Sequence, residues 1–176
     1  RSGSVNFGSN QGMWYVQGSA AYVESDGMRM SKDFVPTSTE DGGIRNNDYR
    51  RDIKLSFKVG LTPNASDEYA LSHYNQEGIK GQPPSTVPSA ARYWRWPYWN
   101  KESLYFVSKT ALGQHELLKV RIYNDRYDNE VDSYTNASYT TLKTSGSGSV
   151  GTGRSIYNDR TNGATAELET DRIQGQ

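Results

Sequence analysis

No cysteine occurs in the 176 residues, which excludes disulfides, thiolate metal sites and a cysteine nucleophile. Histidine is nearly as scarce: His73 and His115 are the only two, and neither stands in a His-x-His or His-Glu-x-x-His pattern. No histidine-built metal centre is therefore expected. Asp125, Asp128 and Glu130 lack the loop glycine of a calcium site and read as an exposed acidic turn. Charge of one sign is missing too. Twenty basic residues balance twenty acidic ones, so the net field gives no argument for nucleic acid or a membrane as partner. Hydrophobic residues reach only 34%, and no run of about 18 apolar residues could span a membrane as a helix. Helical periodicity is absent, and the glycine-rich stretch 146–153 precedes a strand pattern rather than a phosphate-binding helix. No cofactor is expected.

What the chain does hold is aromatic and turn-forming: 13 Tyr, 4 Trp, 4 Phe and 17 Gly. Aromatics must carry much of the apolar area, and short strands joined by turns suit the rest. The clearest strand runs from Tyr49 to Val59. There Ile53, Leu55, Phe57 and Val59 alternate with Asp52, Lys54, Ser56 and Lys58, the period of a strand with one buried face. Arg50 and Lys54 then sit on the opposite face, as part of a solvated outer strand or as the lining of a groove for an anionic ligand.

Taken in order, residues 1–13 read as an irregular start. Trp14–Val23 predicts a strand, and the Asp26-Gly27 signal predicts a hairpin returning through Met28-Arg29-Met30. Residues 31–48 and 78–89 read as loops. Strands are expected at 68–76, 103–110, 117–123 and 131–142. A mobile loop is expected over 144–153. Two closing strands, 154–159 and 164–173, are expected around Thr161-Asn162-Gly163. Between 92 and 99 lies the densest aromatic cluster, with Trp94, Trp96, Tyr98 and Trp99. This spacing predicts one all-β domain over residues 1–176, an antiparallel two-sheet β-sandwich of jelly-roll type with a concave groove. The start at Arg1 rather than Met reads as a processed or partial chain whose signal peptide is gone, and so as a secreted one.

Several side chains are placed to carry chemistry. His73 lies mid-strand, two residues from Asn75 on the same face. Glu167 and Glu169 share a face and could pose as a glycosidase pair, though no recognisable surround supports them. Trp96 and Tyr98 could stack on sugar rings or pack as core. Arg50-Arg51-Asp52-Ile53-Lys54, then His73 to Asn75, then Arg154 followed by Tyr157-Asn158 occur in the order of three signatures. In this the chain resembles the concanavalin-like jelly-roll polysaccharide lyases, above all the alginate lyases.

The resemblance implies cleavage of an acidic, uronate-containing polysaccharide by β-elimination. Arg50 and Asn75 would neutralise the uronate carboxylate, and His73 and Tyr157 would share base and acid duty. Lys54, Arg121 and Arg154, with Trp96 and Tyr98, would contact the polymer. Two alternatives stand beside it: a non-catalytic carbohydrate-binding module using the same groove, and a structural or viral β-sandwich protein. Oligomeric state is not readable from the pattern.

Overall fold

Strand-forming alternation runs longer than the sequence pattern marks. In a computed structural model, which describes residues 1–146, 149 and 151–171, it gives seven strands: β1 (Ser2–Asn10), β2 (Trp14–Ser25), β3 (Arg50–Leu61), β4 (Glu68–Gln82), β5 (Tyr93–Ala111), β6 (Glu116–Tyr134) and β7 (Arg154–Thr170). Each pairs antiparallel with the next, in the order β1 to β7, in a single open sheet. The only helical turn among the described residues is a short 3-10 segment, Pro88–Ala90. The all-β, antiparallel part of the expectation holds. The described residues form one layer, a meander without a second sheet.

Several boundaries differ from the sequence expectation, each for a local reason. The expected irregular start is mostly β1, which zips to β2 from Ser2↔Val23 to Asn10↔Tyr15. The hairpin through Met28–Met30 does not form, leaving only an isolated bridge between Arg29 and Ile44. The aromatic cluster and the following strand are one element, β5. Its register against β6 shifts between Arg95 and Tyr98, so the bulge accommodates Pro97, which has no N–H to give to a ladder. The expected strand 131–142 ends at Tyr134, and Leu142 returns only as a bridge to Tyr134.

The two closing strands are also one, because Thr161-Asn162-Gly163 makes no turn. Gly163 lies directly opposite Tyr123, and a Cβ there would stand 2.2 Å from the tyrosine Cζ. Glycine serves here to seat a ring. Residues 147, 148 and 150 of the expected mobile loop, and 172–173 of the expected last strand, lie outside the described residues.

Directly paired residues of antiparallel strands project from the same face, so the register sorts the whole sheet. One face carries the β3 row Ile53, Leu55, Phe57, Val59 and Leu61, continued by Phe7, Trp14, Leu71, Leu104 and Ile122. The other carries Asp52, Lys54, Ser56 and Lys58 with Tyr15, Tyr74, Tyr105 and Tyr123. The apolar row expected to be buried is instead open: Leu55 is 49% exposed and Phe57 47%, whereas Asp52 is 4% exposed.

Of the 21 large hydrophobic residues exposed among those described, 14 lie on that apolar face. The others are Met13, Met28, Val35, Ile44, Val87 and Leu112 in turns and loops, and Tyr157 on the polar face. Apart from glycines and Pro84, Ala70 is the only buried apolar residue among those described. The chain exposes 11,728 Å², against about 8,600 Å² for a compact folded monomer of 19.7 kDa.

Candidate functional site

The polar face holds a trough of about 780 Å³. Its floor is made by short hydroxyl side chains that the register brings side by side: Ser19 opposite Ser56, with Ser72 and Ser103 on the next two strands. Ser19 and Ser56 hydroxyls are 2.7 Å apart and hydrogen-bonded. Long side chains stand among these serines: Tyr74 between Ser56 and Ser103, Lys58 and Tyr105 on either side of Ser72, and Lys101 next along β5 from Ser103. The short serines beside long neighbours open the recess.

The walls are tied down by hydrogen bonds. The Ser103 hydroxyl and the Tyr105 hydroxyl, at 2.9 Å for the latter, both donate to Asp125 Oδ1. These bonds, the Ser103 one foremost, hold the Asp125 carboxyl below its ordinary pKa. The Tyr74 hydroxyl donates to Gln76 Oε1 at 2.9 Å, and Gln76 Nε2 donates to Asp52 Oδ1 at 3.2 Å. Burial, with Asp52 nearby, pushes the Tyr74 phenol up. At the other rim the Tyr15 hydroxyl donates to Glu68. Lys58 Nζ lies 3.6 Å from Glu68 Oε1 and 5.2 Å from the Tyr15 ring centroid. Its pKa is raised, first by the Tyr15 hydroxyl and then by Glu68. The trough therefore presents hydroxyls, two ammonium groups and aromatic edges. The Glu68 and Asp125 carboxylates stand at its edges, so both signs of charge occur there in a molecule of net charge zero.

The sequence-proposed residues divide between the two faces. Arg50 lies on the polar face, where its Nε pairs with Asp52. Lys54 is on the same face, between Ala21 and Gln76. Tyr157 projects there too, opposite Asn129, and is 48% exposed. His73 and Asn75 project from the apolar face, opposite Phe57 and Leu55. His73 Nε2 lies 3.0 Å from Glu102 Oε1 on that side. The quartet Arg50, Asn75, His73 and Tyr157 is thus not brought together: the register sets Arg50 and Tyr157 on the polar face and His73 and Asn75 on the apolar one.

Among the expected polymer contacts, Arg121 stays on the polar face, its guanidinium 5.1 Å from the ring centroids of both Tyr105 and Tyr123. Arg154 is engaged instead with Glu130 and Asp132, at 3.5 and 3.3 Å. Trp96 is already covered: Lys80 Nζ stands 4.5 Å from its centroid and 3.4 Å from that of Trp99. Tyr98 and Pro97 lie on the apolar side beside Tyr22 and Ile53. The serine floor, Tyr74, Tyr105 and Lys101 escaped the sequence reading. Their signal is a coincidence across four strands, visible only once the register is known. Among the described residues no cluster of three or more His, Asp or Glu could hold a metal ion. Comparison with protein-family models, with curated proteins and with solved structures finds no match to this chain.

Proposed function

We propose that the polar face binds an acidic polysaccharide without cleaving it, the trough seating sugar hydroxyls and carboxylates. The observation that carries this reading is the 780 Å³ recess with a serine floor, flanked by Lys58, Lys101, Tyr74 and Tyr105. Sugar hydroxyls exchange hydrogen bonds with serine and tyrosine hydroxyls. Uronate carboxylates meet the two ammonium groups. The elimination reading asks Arg50, Asn75, His73 and Tyr157 to converge on one sugar. With two on each face of the sheet, binding without cleavage is the better supported reading. We place this binding outside the cell, where such polymers accumulate. The chain would contribute one layer of a sandwich.

Titration with a panel of uronate and neutral polysaccharides tests the proposal. Replacing Lys58 and Lys101 together by Ala should weaken binding of the uronate polymers about tenfold or more, roughly 1.4 kcal/mol. Affinity for neutral polymers, if any, should change less. Absorbance of an unsaturated product should stay flat during long incubation. Unchanged uronate affinity in the double variant would move the site elsewhere, and a rising absorbance would restore the elimination reading.

A further inference from the structure

We infer that the apolar face is covered by the same face of a second copy of this chain, so that two sheets from two chains make one β-sandwich. The surface requires a cover of this size. The chain exposes 11,728 Å², about 3,100 Å² beyond the compact-monomer expectation for 19.7 kDa. The 14 exposed large hydrophobics concentrated on one face mark the side where this excess surface is apolar. The excess is well above the about 800 Å² per partner that a standard interface buries.

The same face is built for self-pairing. Its apolar band crosses from Phe7 and Leu55 through Leu71 to Ile122 and Leu168, by the successive register of all seven strands. The rest of the face carries His73, Asn75 and Glu77 beside the band and charge of both signs toward one end, with Glu24 opposite Arg51, Glu102 opposite Arg126 and Arg126 opposite Arg160. A two-fold axis sets band on band and leaves mixed charge at the rim, where like charges need not meet. Net charge zero removes long-range repulsion between copies. Antiparallel sheets bury an apolar face most simply against another sheet, about 10 Å away and turned by about 30°. The pairing also leaves both polar troughs on the outside, pointing in opposite directions.

The unaltered chain, examined by sedimentation equilibrium at micromolar concentration, should have twice the 19.7 kDa chain mass. A photoreactive benzoyl-phenylalanine in place of Phe57, an aromatic for an aromatic, should give a covalent dimer on irradiation, while the same group in place of Tyr105 on the polar face should not. Phe57→Asp should abolish the dimer, folded or not, and Lys101→Glu should leave it intact. A folded monomer in simple buffer overturns the inference. So does a monomer that dissolves only with detergent bound, which would assign the face to lipid, and so does crosslinking from position 105 but not 57. None of these outcomes depends on whether the trough binds a polysaccharide.

Discussion

Three pairs of directly opposed residues repeat one device: Phe7 over Gly18, Tyr15 over Gly60 and Tyr123 over Gly163. In each, a Cβ on the glycine would stand within 2.2 Å of the ring. A glycine in a strand loses packing of its own, and the aromatic ring laid across it fills that gap. The ring can swing away, so Gly163→Ala should cost only about 1 kcal/mol, the light end of overpacking, with Tyr123 leaving the Arg121 guanidinium. Gly81 differs. A Cβ there would meet the backbone oxygen of Asn47 at 2.3 Å, which cannot rotate aside. Gly81→Ala should cost about 2–3 kcal/mol, and chemical denaturation of the two variants side by side checks the order. Asp125 supplies a pH test at the trough wall. Its carboxyl is held low by the Ser103 and Tyr105 hydroxyls, so its contribution is present above the unfolded carboxylate pKa and is lost as pH falls through the folded one. Asp125→Asn should lower the melting temperature at neutral pH by about 2–4 °C, the size of one net hydrogen bond of about 1 kcal/mol. The gap between variant and parent should close on acidification; a gap that persists in acid would remove the carboxylate's charge from the account.

Loops, rather than strands, anchor the far end of the sheet, and one residue clamps them. Asn47 has φ 56°, the left-handed region that asparagine tolerates better than most. Its Nδ2 donates to Gln82 O and Trp94 O, both at 2.8 Å, and its Oδ1 accepts from Arg95 Nε at 2.9 Å. Arg95 in turn stacks 3.9 Å from the Tyr139 ring centroid, whose phenol burial pushes up to about 12. Asn47→Ala removes three bonds and adds backbone strain, so it should destabilise by about 2–4 kcal/mol. Asn47→Gly should recover only the strain. Hydrogen exchange should show residues 26–49 opening first. The sequence marked 31–48 as loop from Pro36 and the Gly and Asn pairs, but gave no hint of this clamp, because its partners lie 35 to 48 positions away. The same limit explains the misread ends. Asn162-Gly163 carries the chemistry of a hairpin turn, and only the position of Tyr123 across the ladder shows why the glycine is there. By contrast Ile53 to Val59 told its faces plainly. Tyr157, set opposite Ile156 in face, also emerged on the polar side as its alternation required. His73 and Arg50 were assigned to one site by order along the chain, and parity of position across β3 and β4 separates them.

At the scale of the whole molecule, stability and assembly become one quantity. With Ala70 nearly alone as buried apolar side chain, a single copy has almost no core to set against the conformational entropy of ordering about 170 residues. The alternation along β3 was read as one buried face; within one chain that face is open, and the layer that buries it is, on our inference, the same row of another copy. Folding then depends on concentration, since only the associated form is stabilised. Thermal unfolding should show this directly. With an unfolding enthalpy of about 0.7 kcal/mol per residue summed over two chains, the melting temperature should rise about 2 °C for each tenfold increase in protein, or about 4 °C over a hundredfold range. Phe57→Asp, if it folds at all, should lose that dependence, and Lys101→Glu should keep it. A melting temperature that does not move with concentration would mean that the sheet stands without its partner, and the exposed row from Ile53 to Leu61 would then need a different physical account.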